Sequence, residues 1–247
     1  MKIIISESKE AAGYNAAQFA ADILRERTAH NNVRFIAATG KSQFDFLDFL
    51  CNAEGIKWQN TTMFHLDEYI GLSSTHPASL RKYLSERLIN KVHPGEVHLI
   101  NGNAPDPVQE CKRIGELITT NKPIDIAFIG IGENGHIAFN DPPADFETNE
   151  PYIIVTLDLR CRQQQASEGW FNTIENVPKQ AISMSINQLM KSEYIVCICP
   201  DKRKAEAVKN CLSFNSQITP EYPASILKKH QNAYIFLDKE SASLLNK

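Results

Sequence analysis

No excess of positive charge marks this 247-residue chain: 26 Lys and Arg stand against 29 Asp and Glu, a formal charge of −3. A dedicated nucleic-acid binder usually carries a basic face or stripe, so that class is set aside. No apolar run approaches the roughly 18 residues needed to cross a bilayer, and no membrane partner is expected. The opening MKIIISESKE meets polar and acidic residues too soon for a secretory leader. The six cysteines (51, 111, 161, 197, 199 and 211) form no CxxC motif, and none sits at zinc-finger spacing to a His pair. They read as reduced structural thiols, which points to the cytoplasm. There is also no linker, repeat or low-complexity tract. The longest loop-like stretch, Asp141–Pro151, is too short to divide the chain, so residues 1–247 read as one domain.

What is present is alternation. Short apolar runs predict strands at Lys2–Ser6, Val33–Ala38, Thr62–Leu66, Val97–Ile100, Ile124–Ile131, Tyr152–Leu157, Ala181–Ser185, Tyr194–Cys199 and Ala233–Leu237. Helical patterns lie at Ala11–Arg27, Gln43–Cys51, Pro77–Lys91, Pro107–Thr120 and Lys202–Cys211. In the first, Ala16, Phe19, Ala20, Ile23 and Leu24 recur at spacings of three and four, one face of a helix. Alternating strands and helices imply an α/β fold, a three-layer Rossmann-like arrangement with a mostly parallel sheet and helices on both faces. Ligands then bind at the carboxyl ends of the strands.

Three post-strand loops carry chemistry. Thr39-Gly40-Lys41-Ser42 follows a strand and opens a helix. Glycine permits close approach, the hydroxyls can donate, and the helix N-terminus presents free N–H groups, a combination suited to phosphate. A nucleotide P-loop would need glycine five positions before Gly40, where Phe35 stands. Asp67 and Glu68 end another strand. Side chains alternate along a strand, so one carboxylate can face the cleft as a base while the other makes a structural hydrogen bond. Gly130, Gly132 and Gly135 satisfy GxGxxG after a third strand. A dinucleotide motif should lead into a helix, and Pro142 and Pro143 would interrupt it. The better reading is a glycine-rich turn that leaves His136 in the cleft for proton transfer, with Asp141 available to orient it.

Taken in order, these segments resemble the glucosamine-6-phosphate deaminase (isomerase) family, which belongs with the 6-phosphogluconolactonases. Leu66–Leu72 with His76-Pro77 resembles its Asp-Glu-Tyr-x-Gly-Leu segment and following His-Pro. Gly130–Pro142 is similar to its Gly-x-Gly-x-Asp-Gly-His-Ile-Ala-Phe-Asn-Glu-Pro segment. Asn101–Asp106, the Ala38–Ser42 loop and Asp201–Ala205 complete the match, which runs from about residue 33 to 211. The resemblance implies conversion of glucosamine 6-phosphate to fructose 6-phosphate and ammonia, without metal or redox cofactor. It implies that Asp67 carries a proton between C2 and C1 and that His136, backed by Asp141, opens the sugar ring. Glu68 becomes a neighbouring site residue, and Thr39, Gly40, Lys41, Ser42, Gly132 and Lys204 surround the substrate and its phosphate.

Two departures stand out. Asn134 occupies a position where the family carries Asp, and Asp141 replaces its Glu, one methylene shorter. An amide cannot serve as a carboxylate base, though it can hydrogen-bond His136 or a sugar hydroxyl. The family's phosphate-binding arginine lies in an Arg-Phe-Phe context, where this chain has Gly169-Trp170-Phe171. Arg160 and Arg162 are the candidates to grip phosphate instead, with Arg162 preferred. The Gln163–Gln165 cluster either bonds sugar hydroxyls or covers a helix surface. Alternatives therefore stay open: a galactosamine-6-phosphate deaminase, a 6-phosphogluconolactonase-like hydrolase, or a non-catalytic sugar-phosphate sensor. The expected partner is a small sugar phosphate, and a homo-oligomer is left open. Longer allosteric deaminases carry more chain after the last strand, so no comparable effector site is expected.

Overall fold

A computed structural model describes residues 1–119 and 123–245. Its ten strands are β1 (Lys2–Ser6), β2 (Val33–Ala37), β3 (Thr61–His65), β4 (Asp67–Tyr69), β5 (Glu96–His98), β6 (Ile126–Ile129), β7 (Tyr152–Thr156), β8 (Gln180–Met184), β9 (Tyr194–Ile198) and β10 (Ala233–Asp238). Seven form one wholly parallel sheet in the order β1-β10-β9-β6-β2-β3-β5.

Alternation along these strands sorts the core into two layers. Ile36, Phe64, Ala127, Ile129, Cys197, Cys199 and Ile235 lie in one cluster. Their neighbours Phe35, Met63, Ile126, Phe128, Val196 and Phe236 lie in the other. Helices cover both faces, as a parallel sheet requires. α1 (Lys9–Thr28) and α2 (Phe44–Cys51) cover the second face. They are joined there by α3 (Leu80–Leu84), which runs through a wide turn into α4 (Asn90–Val92). α1 packs through Ala16, Ala17, Ala20, Ala21 and Leu24, all fully buried. The small side chains let it lie close to the sheet and to α2. A Cβ on its Gly13 would come within 2.8 Å of the Asp45 Cβ. The first face is covered by α5 (Pro107–Thr119), α7 (Ile186–Leu189) and α8 (Ala205–Leu212). α6 (Leu159–Ser167) lies apart from both layers, over a third cluster with Tyr69, Phe139 and Phe171.

The expected strands at Tyr152–Leu157 and Ala181–Ser185 form, but outside the parallel sheet. β7 and β8 pair antiparallel with each other and β8 with β4, a strand the sequence pattern did not separate from its neighbour. β7 alternates in burial, with Ile154 36 % exposed, as a strand with one open face does. The helix expected from Pro77 begins at Leu80, because Ser79 caps it by accepting the Lys82 N–H. Residues 202–204 form a tight turn ahead of α8 rather than its first turn. The helix expected over Pro107–Thr120 is present to Thr119, and Thr120 lies outside the described residues.

The candidate active site

The loops after β2, β3, β6 and β9 converge at the carboxyl edge of the parallel sheet around a cavity of about 180 Å³. This is a monosaccharide-scale space, below the range drug-sized ligands occupy. Its lining includes Thr39, Gly40, Lys41, Ser42, Asp67, Gly132, His136 and Lys204. All eight were singled out from the sequence, and the fold brings them together.

The β2 loop turns on Gly40, whose φ of +99° only glycine adopts freely. The Gly40 carbonyl accepts the Tyr83 hydroxyl at 2.9 Å, fixing the loop to α3. Beneath it, fully buried Gln43 donates to Ser42 Oγ and to the Ile129 carbonyl, tying the loop to β6.

Asp67 and Glu68 are adjacent, yet their settings are opposite. Asp67 faces the cavity at 6 % exposure, and its carboxylate has no hydrogen-bond or ion-pair partner among the described residues. Burial, with the neighbouring Glu68 charge, pushes its pKa up to about 8. Glu68 points away from the cavity and is saturated. It accepts the N–H groups of Tyr69, Leu80 and Arg81, the Ser79 hydroxyl and the Arg81 guanidinium, at 2.8 to 3.2 Å. Burial raises its pKa too, against the pull of those donors. Arg81 also reaches the side chains of Asn101 and Asn103 and the Leu72 carbonyl. The Asn101–Asp106 stretch therefore holds the Asp67–Tyr69 segment in place, and Glu68 lies outside the cavity lining. His76 serves the same segment, accepting the Ala78 N–H and stacking on Phe171.

The β6 loop is built around an imidazole. A Cβ on Gly132 would stand 2.2 to 2.4 Å from three His136 ring atoms, so only glycine fits beneath the ring. His136 Nδ1 lies 3.0 Å from Asp141 Oδ1, with both side chains at most one-tenth exposed. Asn134 sits behind this pair. Its amide nitrogen donates to Asp141 at 2.8 Å and to Asp158 at 3.0 Å, and its oxygen accepts the His136 N–H. Asp158 in turn caps α6 by accepting the Cys161 N–H. Burial alone would raise the Asp141 carboxyl, but His136, the Asn134 amide and the Asp158 N–H together hold it below its ordinary range. Asn134 thus supplies two donors at a point where an Asp would add a third carboxylate. Cys161 completes a group with His136 and Asp141 whose potential ligand atoms all lie within 4.8 Å of one another. This is the one cluster among the described residues compact enough to grip a cation. Two of its three members already engage each other, and burial and the nearby Asp141 hold the Cys161 thiol well above its usual pKa.

Lys204 is 5 % exposed and lines the cavity, and among the described residues nothing pairs with its ammonium. A buried charge without a partner is costly. An anion delivered by a ligand would satisfy it. Arg160 and Arg162 are placed elsewhere. Arg160 is exposed, Arg162 donates to the Ile174 carbonyl, and neither lines the cavity.

The sequence pattern did not single out Lys9, Glu168, Trp170 or Arg203, which also line the cavity. Gln164 and Gln165 do so as well, while Gln163 faces solvent. Gln164 links the Glu133 N–H to Glu168, which accepts the Trp170 indole N–H at 3.1 Å. Trp170 packs edge-on against Phe44 and Tyr83. The sequence pattern marked no helix at Leu159–Ser167, and so not which of its residues face inward.

Residues 6–236 match the family model described as glucosamine-6-phosphate isomerases/6-phosphogluconolactonase. The chain is 35 % identical to glucosamine-6-phosphate deaminase 1 of Bacillus subtilis, covering 99 % of both chains. It is also 35 % identical to a glucosamine-6-phosphate deaminase of Streptococcus uberis over the full length of both. A solved monomeric glucosamine-6-phosphate deaminase superposes with a TM-score of 0.91 at 34 % identity, covering 99 % of this chain and all of that one. A 6-phosphogluconolactonase from Trypanosoma brucei shares the fold, with a TM-score of 0.81 at 14 % identity over 99 % of this chain and 98 % of the other. With its post-strand loops, its buried Asp67 and its His136–Asp141 pair in place, the chain belongs to the glucosamine-6-phosphate isomerase/6-phosphogluconolactonase family.

Proposed function

We propose that this protein is an enzyme that converts glucosamine 6-phosphate and water to fructose 6-phosphate and ammonia. One observation carries the reading: a single cavity is lined by two buried residues, Asp67 and Lys204, whose carboxylate and ammonium have no partner among the described residues. A sugar phosphate offers each of them what it lacks, a proton to move and an anion to hold.

The mechanism follows from those two groups and the histidine. The phosphate docks on Lys204 and the β2 loop, and this remote binding energy orients the reacting carbons. His136, held by Asp141, takes the proton from the C1 hydroxyl and returns one to the ring oxygen, opening the ring. Asp67 then removes the proton from C2 while the C1 oxygen takes one from the substrate's ammonium group, giving an enolamine, and delivers the C2 proton to C1. The C2 imine that results adds water and releases ammonia, leaving the C2 ketone. A carboxylate whose pKa lies close to neutral suits both halves of that shuttle. Companion readings are that residues 1–247 form one domain and that the enzyme works in the cytoplasm. The six described cysteines are all unpaired, in keeping with a reducing compartment.

The test is ammonia release from the purified protein with glucosamine 6-phosphate, beside Asp67→Asn. Release that disappears in the variant is the expected result. Acid release from 6-phosphogluconolactone with no ammonia from the amino sugar would overturn the reading.

A further inference from the structure

The family resembled by this sequence grips phosphate with an arginine in an Arg-Phe-Phe context, and this chain has Gly169-Trp170-Phe171 there. The two arginines nearest in sequence, Arg160 and Arg162, do not reach the cavity. Among the described lining residues there is one arginine, Arg203, next to the unpaired Lys204. We propose that Arg203 is the phosphate-gripping arginine of this site, so that the role has moved from the segment after α6 to the loop after β9. The proposal deepens the sugar-phosphate reading above and rests on it.

Three observations support the assignment. The first is backbone geometry. Asp201 holds φ +93°, a region that residues with a Cβ seldom occupy and that persists where the surroundings enforce it. Its N–H is held by Asp238, and its own Oδ1 accepts the Arg203 N–H at 3.0 Å. The strained residue therefore sets the tight turn that presents Arg203 and Lys204 side by side.

The second is the clamp on the guanidinium. Asp201 takes its Nε and Nη2 at 3.2 to 3.4 Å, and Glu133 approaches Nη1 at 3.2 Å. Glu133 belongs to the loop that carries His136, so the arginine is fixed between two of the four loops that build the site. A guanidinium has five N–H donors, and the Asp201 bonds use only Nε and one on Nη2, which leaves donors on both Nη1 and Nη2 for a ligand.

The third is chemical complementarity. Lys204 contributes a compact charge without directional preference, whereas a planar fork can bind two phosphate oxygens at once and fix the phosphate's orientation. Side by side, the two cations provide both charge and orientation for a dianion.

The experiment uses the full chain as wild type, Arg203→Ala, Arg203→Lys and Arg162→Ala. Calorimetric affinity for inorganic phosphate is measured together with kcat and KM for glucosamine 6-phosphate. Charge-assisted hydrogen bonds of this kind correspond to about 10- to 100-fold in affinity. Arg203→Ala is expected to weaken phosphate binding and raise KM by that factor, with kcat changed far less. Arg203→Lys keeps the charge but loses the fork, and should lie between the two. If Arg203→Ala fails to fold, the lysine variant carries the test, and wild-type-like phosphate affinity in it overturns the proposal. Unchanged phosphate affinity and KM in a folded Arg203→Ala also overturn it, as does a loss that appears in Arg162→Ala instead. Ammonia release and phosphate binding are separate readouts. A wild type that binds phosphate through Arg203 but releases no ammonia would sink the deaminase reading and leave this assignment standing.

Discussion

Asp67 and Glu68 share a strand, a neighbourhood and a chemical group, and the fold treats them in opposite ways. Glu68 receives five hydrogen bonds and the Arg81 charge; among the described residues the Asp67 carboxylate receives none. The same contrast recurs between Asp141, held by an imidazole, an amide and a backbone N–H, and Lys204, buried and without a partner among the described residues. Glu68 and Asp141 are saturated, while Asp67 and Lys204, which the proposed reaction calls on directly, are kept short of partners. The unpartnered pair costs stability and meets the substrate; the saturated pair holds its neighbours, Arg81 and His136, in place. Substitutions on the two sides should therefore have opposite signatures.

The largest effect is expected from Asp67→Asn, which keeps the shape and removes the proton carrier. kcat/KM should fall about 10²- to 10⁴-fold. Stability should move the other way. The raised pKa means that the folded state resists ionisation of Asp67. That cost is absent below the ordinary carboxylate range near pH 4, grows as pH rises, and levels off above about 8. Thermal melts at stepped pH should show the variant gaining on the wild type across that window. The wild-type kcat/KM should rise with pH along a limb near 8. A flat profile, or a variant no more stable at pH 8 than at pH 4, would break the comparison on the Asp67 side.

Glu68→Gln probes the other side. It leaves the Arg81 guanidinium, 12 % exposed, without its counter-charge. Breaking a buried pair from one end costs about 3–5 kcal/mol, a fall in Tm of about 10 °C for a chain of this size. kcat in the protein that remains folded should change much less than in Asp67→Asn. A Glu68→Gln protein that melts normally yet has lost turnover would place Glu68 among the reacting groups.

Asn134→Asp should give the smallest of the three effects and sharpen the boundary. It replaces two donors by a third carboxylate between Asp141 and Asp158, and should lower both Tm and kcat/KM, the latter about tenfold. Kinetics and stability equal to wild type would show that the amide does not tune the His136–Asp141 pair.

Much of this was legible in the sequence because it is local. A Gly-Lys-Ser turn after an apolar strand, paired carboxylates at a strand end and a glycine-rich loop around His136 are written within a few residues each. Odd and even positions of Tyr194–Cys199 announce the two faces of the sheet. Less legible were features that depend on distant partners. β4 is three residues long and exists because β8 pairs with it from 116 residues away in the register Asp67↔Ser183. Tyr152–Thr156 has the composition of a buried parallel strand, but pairs antiparallel at the margin. The sequence pattern marks no helix at Leu159–Ser167, and only the fold decides that the Arg162 guanidinium meets Ile174 rather than the cavity. Gln163 and Gln164 differ for the same reason: helix phase sends one to solvent and the other to Glu168.

The packing of Trp170 also has an optical consequence. The chain has two tryptophans. Trp58 is buried beside Phe35 under the sheet and is absent from the cavity lining. Trp170 is in that lining and touches Tyr83, whose hydroxyl holds the Gly40 carbonyl. A ligand entering the β2 loop thus perturbs one indole and leaves the other dark to the event. The protein carries its own fluorescent indicator of occupancy, with Trp58 as the internal standard.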